Sequence, residues 1–335
     1  MVVPLCFCLN CVSPSGKPVD WFIIYKVPVA KGEMPIKTTG EEFYYLDALN
    51  PVFSYIRDSI QKKQNNPLFN TLQQIYDGWI NETPKTEDSG CDGAYAFDEK
   101  DGFWLISSVP RFPAPRTQGY NYGQGQLLYA QSVLCVTLDK KYLTEMGNTH
   151  TGTPSHTQKI FNLTKPMIYD NNGPLTENKE IDYSNIPVSE TSTVVPFTSK
   201  GEQKFLLFAK SVGFRKDLYD SLVAEKLEDN LFVETWRPNL PSNCLTHYKV
   251  YNVKRVEFVH DKHVYWFKST RDHAKWAIAE NKPWTCIGDI NRNHSQLKRG
   301  GGTMCLYHEG VSNQFRKLVK DFDKCKRKGT VLWNS

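Results

Sequence analysis

The chain has 335 residues, of which 40% are hydrophobic and 13% aromatic, with a formal net charge of +5. That length and apolar content support a packed globular core and exclude a disordered or fibrous protein. The small net charge excludes an overall polycation, and no run of residues is long and apolar enough to span a membrane.

Residues 1–10, with the apolar run Met1–Leu9, read as the remnant of a signal peptide, which leaves 11–335 as one domain. Cys11–Pro28 is a turn-rich start that feeds a buried strand over Trp21–Val27, and Phe43–Leu46 reads as another short strand. The spacing of Leu72, Ile75 and Trp79 predicts an amphipathic helix over Leu68–Trp79. Asn81–Gly90 is a polar loop. Ala94–Asp98 and Phe103–Val109 flank the turn Glu99-Lys100-Asp101-Gly102 and predict a hairpin. Arg111–Gln126 is rich in proline and glycine and suits an ordered loop, and Ser132–Leu138 is a strand. Lys140–Pro196 is long, polar and weakly periodic and reads as loops with short elements, with the boundary between an N-terminal half (11–145) and a C-terminal half (146–335) near its start.

Beyond it, strands are expected at Phe205–Ala209, Leu231–Trp236 and Tyr248–Val253, a hairpin at Val256–Phe267, and helices at Leu218–Leu227 and Gln314–Phe322. Strands and helices in both halves argue for an α/β fold. The basic residues gathered between Arg316 and Lys328 are read as a solvated helix face or tail.

Nine cysteines are many for a reducing compartment and point to a disulfide framework rather than a metal site. Three glycosylation sequons, at Asn81, Asn162 and Asn293, agree with export.

The stretch that carries chemistry is Thr270–Cys305. It contains His273-Ala274-Lys275, with Glu280 five residues past the lysine. Two residues apart on an extended segment, an imidazole and an ammonium point the same way. The imidazole can attack phosphorus or donate a proton, the ammonium can hold a phosphate oxygen, and Glu280 could orient the imidazole. Gly300-Gly301-Gly302, beside Lys298 and Arg299, suggests a close backbone approach to an anion. The same H-x-K pattern occurs at His247-Tyr248-Lys249 and His260-Asp261-Lys262, where no acid follows at the spacing of Glu280; the second reads as a hairpin tip. Trp276 and Trp284 read as core packing rather than base-stacking platforms.

Context separates the three matches. D-H-A-K-W at Asp272–Trp276, P-W-T-C-I-G-D-I-N-R-N at Pro283–Asn293 and K-R-G-G-G-T-M-C at Lys298–Cys305 resemble the C-terminal signature of the deoxyribonuclease II family. S-G-K-P-V-D-W-F-I-I-Y-K-V-P at Ser15–Pro28 and the Gly102–Pro110 run resemble its N-terminal motifs. The resemblance covers Cys11 to about Cys325. It implies a phospholipase D-like fold: a pseudo-twofold duplication with two β-sheets flanked by helices. It implies disulfides Cys11–Cys135, Cys244–Cys325 and Cys286–Cys305, which leaves Cys91 unpaired and Cys6 and Cys8 in the leader remnant. It also implies metal-free and cofactor-free hydrolysis of DNA phosphodiesters in acid, in a secreted or lysosomal monomer, by two H-x-K motifs that meet at the pseudo-twofold.

Here the chain departs from the pattern. Where the first H-x-K belongs, just before Gly93, it reads Gly90-Cys91-Asp92, and Ser107 stands where the family tends to carry another histidine. One half-site has lost its imidazole and exchanged a cation for an anion. The expectation is a scaffold that retains sequence-independent contact with double-stranded DNA and has lost most or all catalysis. Two alternatives are an active nuclease with a substitute or dimer-supplied partner for His273, and a secreted factor whose partner is another protein.

Overall fold

The computed structural model describes residues 9–30, 37–77, 93–97, 100–114, 118–139, 167–170 and 191–325. In the first part of the chain lie β1 (Cys11–Val12), β2 (Pro18–Val19), β3 (Trp21–Lys26), β4 (Phe43–Asp47), β5 (Ser54–Ile56), α1 (Pro67–Asp77), β6 (Gly93–Phe97), β7 (Asp101–Ser107), β8 (Gln131–Asp139) and β9 (Met167–Asp170). The second part carries β10 (Ser192–Thr198), β11 (Lys204–Lys210), α2 (Ala224–Leu227, continuous with a π turn at Tyr219–Val223), β12 (Leu231–Glu234), β13 (Val250–His260), β14 (His263–Lys268), β15 (Trp276–Ala279), β16 (Trp284–Gly288), β17 (Gly301–Tyr307), α3 (Glu309–Leu318) and β18 (Val319–Phe322). β1 and β2 pair with each other; the remaining strands form two large sheets.

The first large sheet runs β5-β4-β3-β8-β7-β6-β9, and the second runs β10-β11-β17-β16-β15-β12-β13-β14, with β18 added to β13. Within them β3-β8-β7-β6 and β11-β17-β16-β15 repeat one order, antiparallel at every step. Side-chain alternation sets the layers. On β3, Trp21, Ile23 and Tyr25 enter a core shared with Phe205 and Leu207 of β11 and Trp276 and Ile278 of β15, so the two sheets pack face to face. Phe22 and Ile24 point the other way, to Leu68, Leu72 and Ile75 of α1. On the opposite outer face, Phe208, Ala277 and Ala279 pack on Tyr219, Val223 and Leu227. The protein is therefore α/β, with extended sheets predominating.

The expected strands at Trp21, Phe43, Ala94, Phe103, Ser132, Phe205 and Leu231 are present within a residue or two, as is the first helix. Other boundaries differ. The stretch Lys140–Pro196 contains β9 and most of β10 as its short elements, and β10 runs on past Pro196 to Thr198. Pro196 lies in β10, an outermost strand, where a missing N–H costs least. Tyr248–Val253 and the first arm of the hairpin are one strand, in which an irregularity around Lys254 and Arg255, where the pairing with β18 shifts register, brings both Val253 and Val256 to the inner side. The last helix starts earlier, at Glu309, with His308 Nδ1 accepting from Val311 N as its cap, and it gives way to β18 at Val319. β15, β16 and β17 carry no clear periodic signal and were not anticipated.

The disulfides Cys11–Cys135, Cys244–Cys325 and Cys286–Cys305 are all formed. The last joins directly opposed residues of β16 and β17. Among the described residues, no helix is long and apolar enough to cross a membrane.

Candidate functional site

The segment Asp272–Lys275 enters β15 at the seam between the sheets and is fastened to the first of them. Ala130 N donates to Arg271 O at 2.9 Å, and His273 N donates to Ala130 O at 2.9 Å. Lys275 N donates to Ser132 Oγ at 3.2 Å. The Lys275 ammonium is buried and donates to His273 O at 2.8 Å and Ser108 O at 3.5 Å. Beneath the turn, Asp272 Oδ1 accepts from Ala274 N at 2.8 Å, and Oδ2 accepts from the Tyr25 hydroxyl. Trp276 Nε1 donates to that same hydroxyl at 2.9 Å, which confirms Trp276 as a core residue with a satisfied N–H. Trp284 is half-buried, edge-on to Tyr307.

The His273 ring lies against two aromatic side chains. It stacks on Tyr129, with centroids 3.8 Å apart and planes 14° apart, and it leans on Trp236 at 4.2 Å. Arginines cover the outer faces: Arg271 over Tyr129 at 5.5 Å and Arg237 over Trp236 at 5.3 Å. His273 Nε2, Trp236 Nε1 and Arg271 Nε are buried without hydrogen-bond partners among the described residues. Burial first, then the positive charges of Lys275, Lys26 and Arg237, push the His273 pKa down to about 3. Burial raises that of Asp272 to about 6, against the pull of Tyr25, Ala274 N and the two lysines. The site therefore holds a neutral imidazole in a positive field. Such a ring can accept a proton or attack an electrophile, and the field around it favours an anion.

Other sequence-predicted residues sit elsewhere. Glu280 is exposed at the far end of β15, where its Oε2 accepts from Asn230 Nδ2 at 2.7 Å. At about 3.3 Å per extended residue, seven residues place it roughly 20 Å from His273, so it does not orient the imidazole. Ser107 is buried, and its hydroxyl accepts from Val109 N at 2.9 Å within its own turn. Lys298 is exposed. Arg299 is committed to Asp289, donating to its carbonyl at 3.1 Å and lying 3.7 Å from its carboxylate. The glycine run holds that same carboxylate: Gly302 N donates to Asp289 Oδ1 at 2.8 Å. A Cβ on Gly302 would lie 2.2 Å from Phe208 O, and Gly301 has φ +150° with Asp289 2.7 Å from its own would-be Cβ. The run is thus explained by close packing on β11 and by an internal anion. The His260-Asp261-Lys262 match is a hairpin tip, with Asp261 and Lys262 at positive φ. Asn293 Oδ1 accepts from Asn239 N at 3.0 Å. Gly90, Cys91, Asp92, Asn81 and Asn162 lie outside the described residues.

Residues not singled out from the sequence complete the site: Tyr25, Lys26, Tyr129, Glu234, Trp236, Arg237, Arg271 and Asp272. Lys26 gives a signal in hindsight, a lysine at the end of an apolar strand. It is fully buried, and its ammonium donates to the carbonyls of Gln126, Leu127 and Tyr129, holding the turn that presents Tyr129. Lys210 does the same in the second half, to Gln296, Leu297 and Arg299. Tyr129 and Trp236 are far from His273 in sequence and carry no motif.

Residues 10–325 match the family model described as Deoxyribonuclease II. The chain is 32% identical to Deoxyribonuclease-2-alpha of Rattus norvegicus over 345 residues, covering 95% of each chain. It is 31% identical to Deoxyribonuclease-2-beta of Homo sapiens over 95% of this chain and 92% of that one. It is 30% identical to Cell death-related nuclease 6 of Caenorhabditis elegans over 94% and 89% respectively.

Proposed function

Because the chain belongs to the deoxyribonuclease II family, we propose that it is an exported, phosphodiester-binding member whose hydrolysis of DNA is absent or very weak. The observation that carries this reading is the sequence Gly90-Cys91-Asp92 just ahead of β6, set against Asp272-His273-Ala274-Lys275 just ahead of β15. The repeated strand order β3-β8-β7-β6 and β11-β17-β16-β15 supports treating the two positions as equivalents in a duplicated fold. An attacking imidazole needs a partner that protonates the leaving oxygen. The rings against His273 are Tyr129 and Trp236, and among the described residues no second imidazole touches it.

Loss of a catalytic nucleophile or its partner costs on the order of 10⁶ in turnover in well-studied hydrolases. Aspartate in place of a phosphate-holding lysine exchanges attraction for repulsion. Binding is a different matter, since affinity for nucleic acid comes mostly from phosphate contacts and needs no proton transfer. Lys275, Arg237 and Arg271 supply cations around the surviving imidazole. The three disulfides and the sequons fit an oxidising, secretory or lysosomal setting.

The test is binding and cleavage measured together. Incubated with supercoiled plasmid in EDTA at mildly acid pH, the protein is expected to leave the DNA intact. It is expected to bind a duplex without sequence preference and with an affinity that falls steeply with salt. Lys275→Gln should lower the salt slope by about 1, the loss of one phosphate contact. Absence of any DNA binding at low salt and acid pH would refute the proposal.

A further inference from the structure

Glu234 ends β12 at a position where a charge has no support. It is fully buried, and both carboxylate oxygens lack a hydrogen-bond partner among the described residues. Its Cα partner in the sheet is Trp276. The charged and titratable groups that act on it or on its neighbours come from two elements, β3 and the segment that enters β15. Asp272 precedes β15, and Tyr25 on β3 feels both carboxyls. Lys26 and Lys275 pull on Asp272. No cation among the described residues pairs with Glu234 itself. An isolated buried carboxylate is far too costly to persist, and a group so placed takes up a proton instead. Asp272 differs, since it accepts hydrogen bonds from Tyr25 and Ala274 N and faces two lysines.

We propose that Glu234 is a proton-holding positioning residue: a neutral carboxylic acid packed beside Asp272 and Tyr25, which limits the pair to one negative charge beneath the His273–Lys275 turn. Asp272 then serves as the fixed counter-charge and brace of that turn. Ionising Glu234 places a second buried negative charge against it and loosens the fastening of His273. Mild acid, on this view, is built into the fold through the seam, and His273 does not set it. The proposal holds whether or not the protein cleaves DNA.

The sign follows from the direction of the shifts. Folded-state proton affinities of Glu234 and Asp272 are raised, so their stabilising effect is full below the unfolded carboxylate range near pH 4 and is lost as pH rises through the folded values. The wild-type protein should melt at lower temperature at about pH 7.5 than at about pH 5.5, by several degrees. Glu234→Gln keeps the shape and removes the proton site, so its melting temperature should change much less over that range. Glu234→Met tests the same slope without an amide to satisfy.

Infrared difference spectroscopy of the unmutated protein gives a second reading that needs no variant to fold. A protonated carboxyl C=O band should persist at neutral pH, in an environment without hydrogen bonds, and should vanish in whichever variant folds. Parallel melting curves for wild type and variants, or absence of the band at neutral pH, would overturn the proposal.

Discussion

Burial and like charge act in the same direction on His273, and the result is a ring that stays neutral through the mildly acid range. In the unfolded chain it would titrate near 6.5. His273 therefore opposes folding progressively as pH falls from about 6.5 toward about 3. Its titration, followed by imidazole NMR, should have a midpoint near 3 in the wild-type protein. Trp236→Ala opens one face of the ring to water and should raise that midpoint by about one unit or more. A midpoint near 6.5 in the unmutated protein would show that the aromatic cage does not close in solution. A bound phosphate would push the same way as the mutation, because its charge offsets those of Lys275, Lys26 and Arg237, so anion binding should draw a proton onto the ring.

The elements that place these residues follow from close backbone packing and from buried lysines. β17 can lie against β11 only because Gly302 has no side chain, and Gly302→Ala should cost about 3 kcal/mol, read as a lowered denaturation midpoint. Wild-type stability in that variant would mean that β11 and β17 are further apart than described. Legibility from sequence divides along the same line. Strands with long apolar runs, such as Trp21–Val27, were readable from pattern alone, and the H-x-K turn was readable from its motif. β15 to β17 were not: β15 is only Trp-Ala-Ile-Ala, and β16 and β17 mix Thr, Cys and Gly with apolar residues in no clean alternation. The site's second layer was hidden for a different reason: Tyr129 and Trp236 meet His273 only after the two sheets close, and nothing local marks them. Glu280 misled because proximity in sequence on a strand becomes distance in space. The three glycines misled because the anion they hold is the protein's own Asp289.

At the scale of the molecule, the two large sheets share a strand order and a buried lysine that ties down a turn, yet they differ in the residues at the entrance to β6 and β15. Membership of the deoxyribonuclease II family supplies the scaffold, and the proposed loss of hydrolysis rests on this difference. The most direct measurement is metal-free plasmid nicking at mildly acid pH by the native chain, by Gly90→His/Asp92→Lys, and by each with His273→Ala. The account predicts no nicking by the native chain above the His273→Ala background. It predicts measurable nicking by the double substitution that His273→Ala abolishes. Robust nicking by the native chain that disappears with His273→Ala would contradict it.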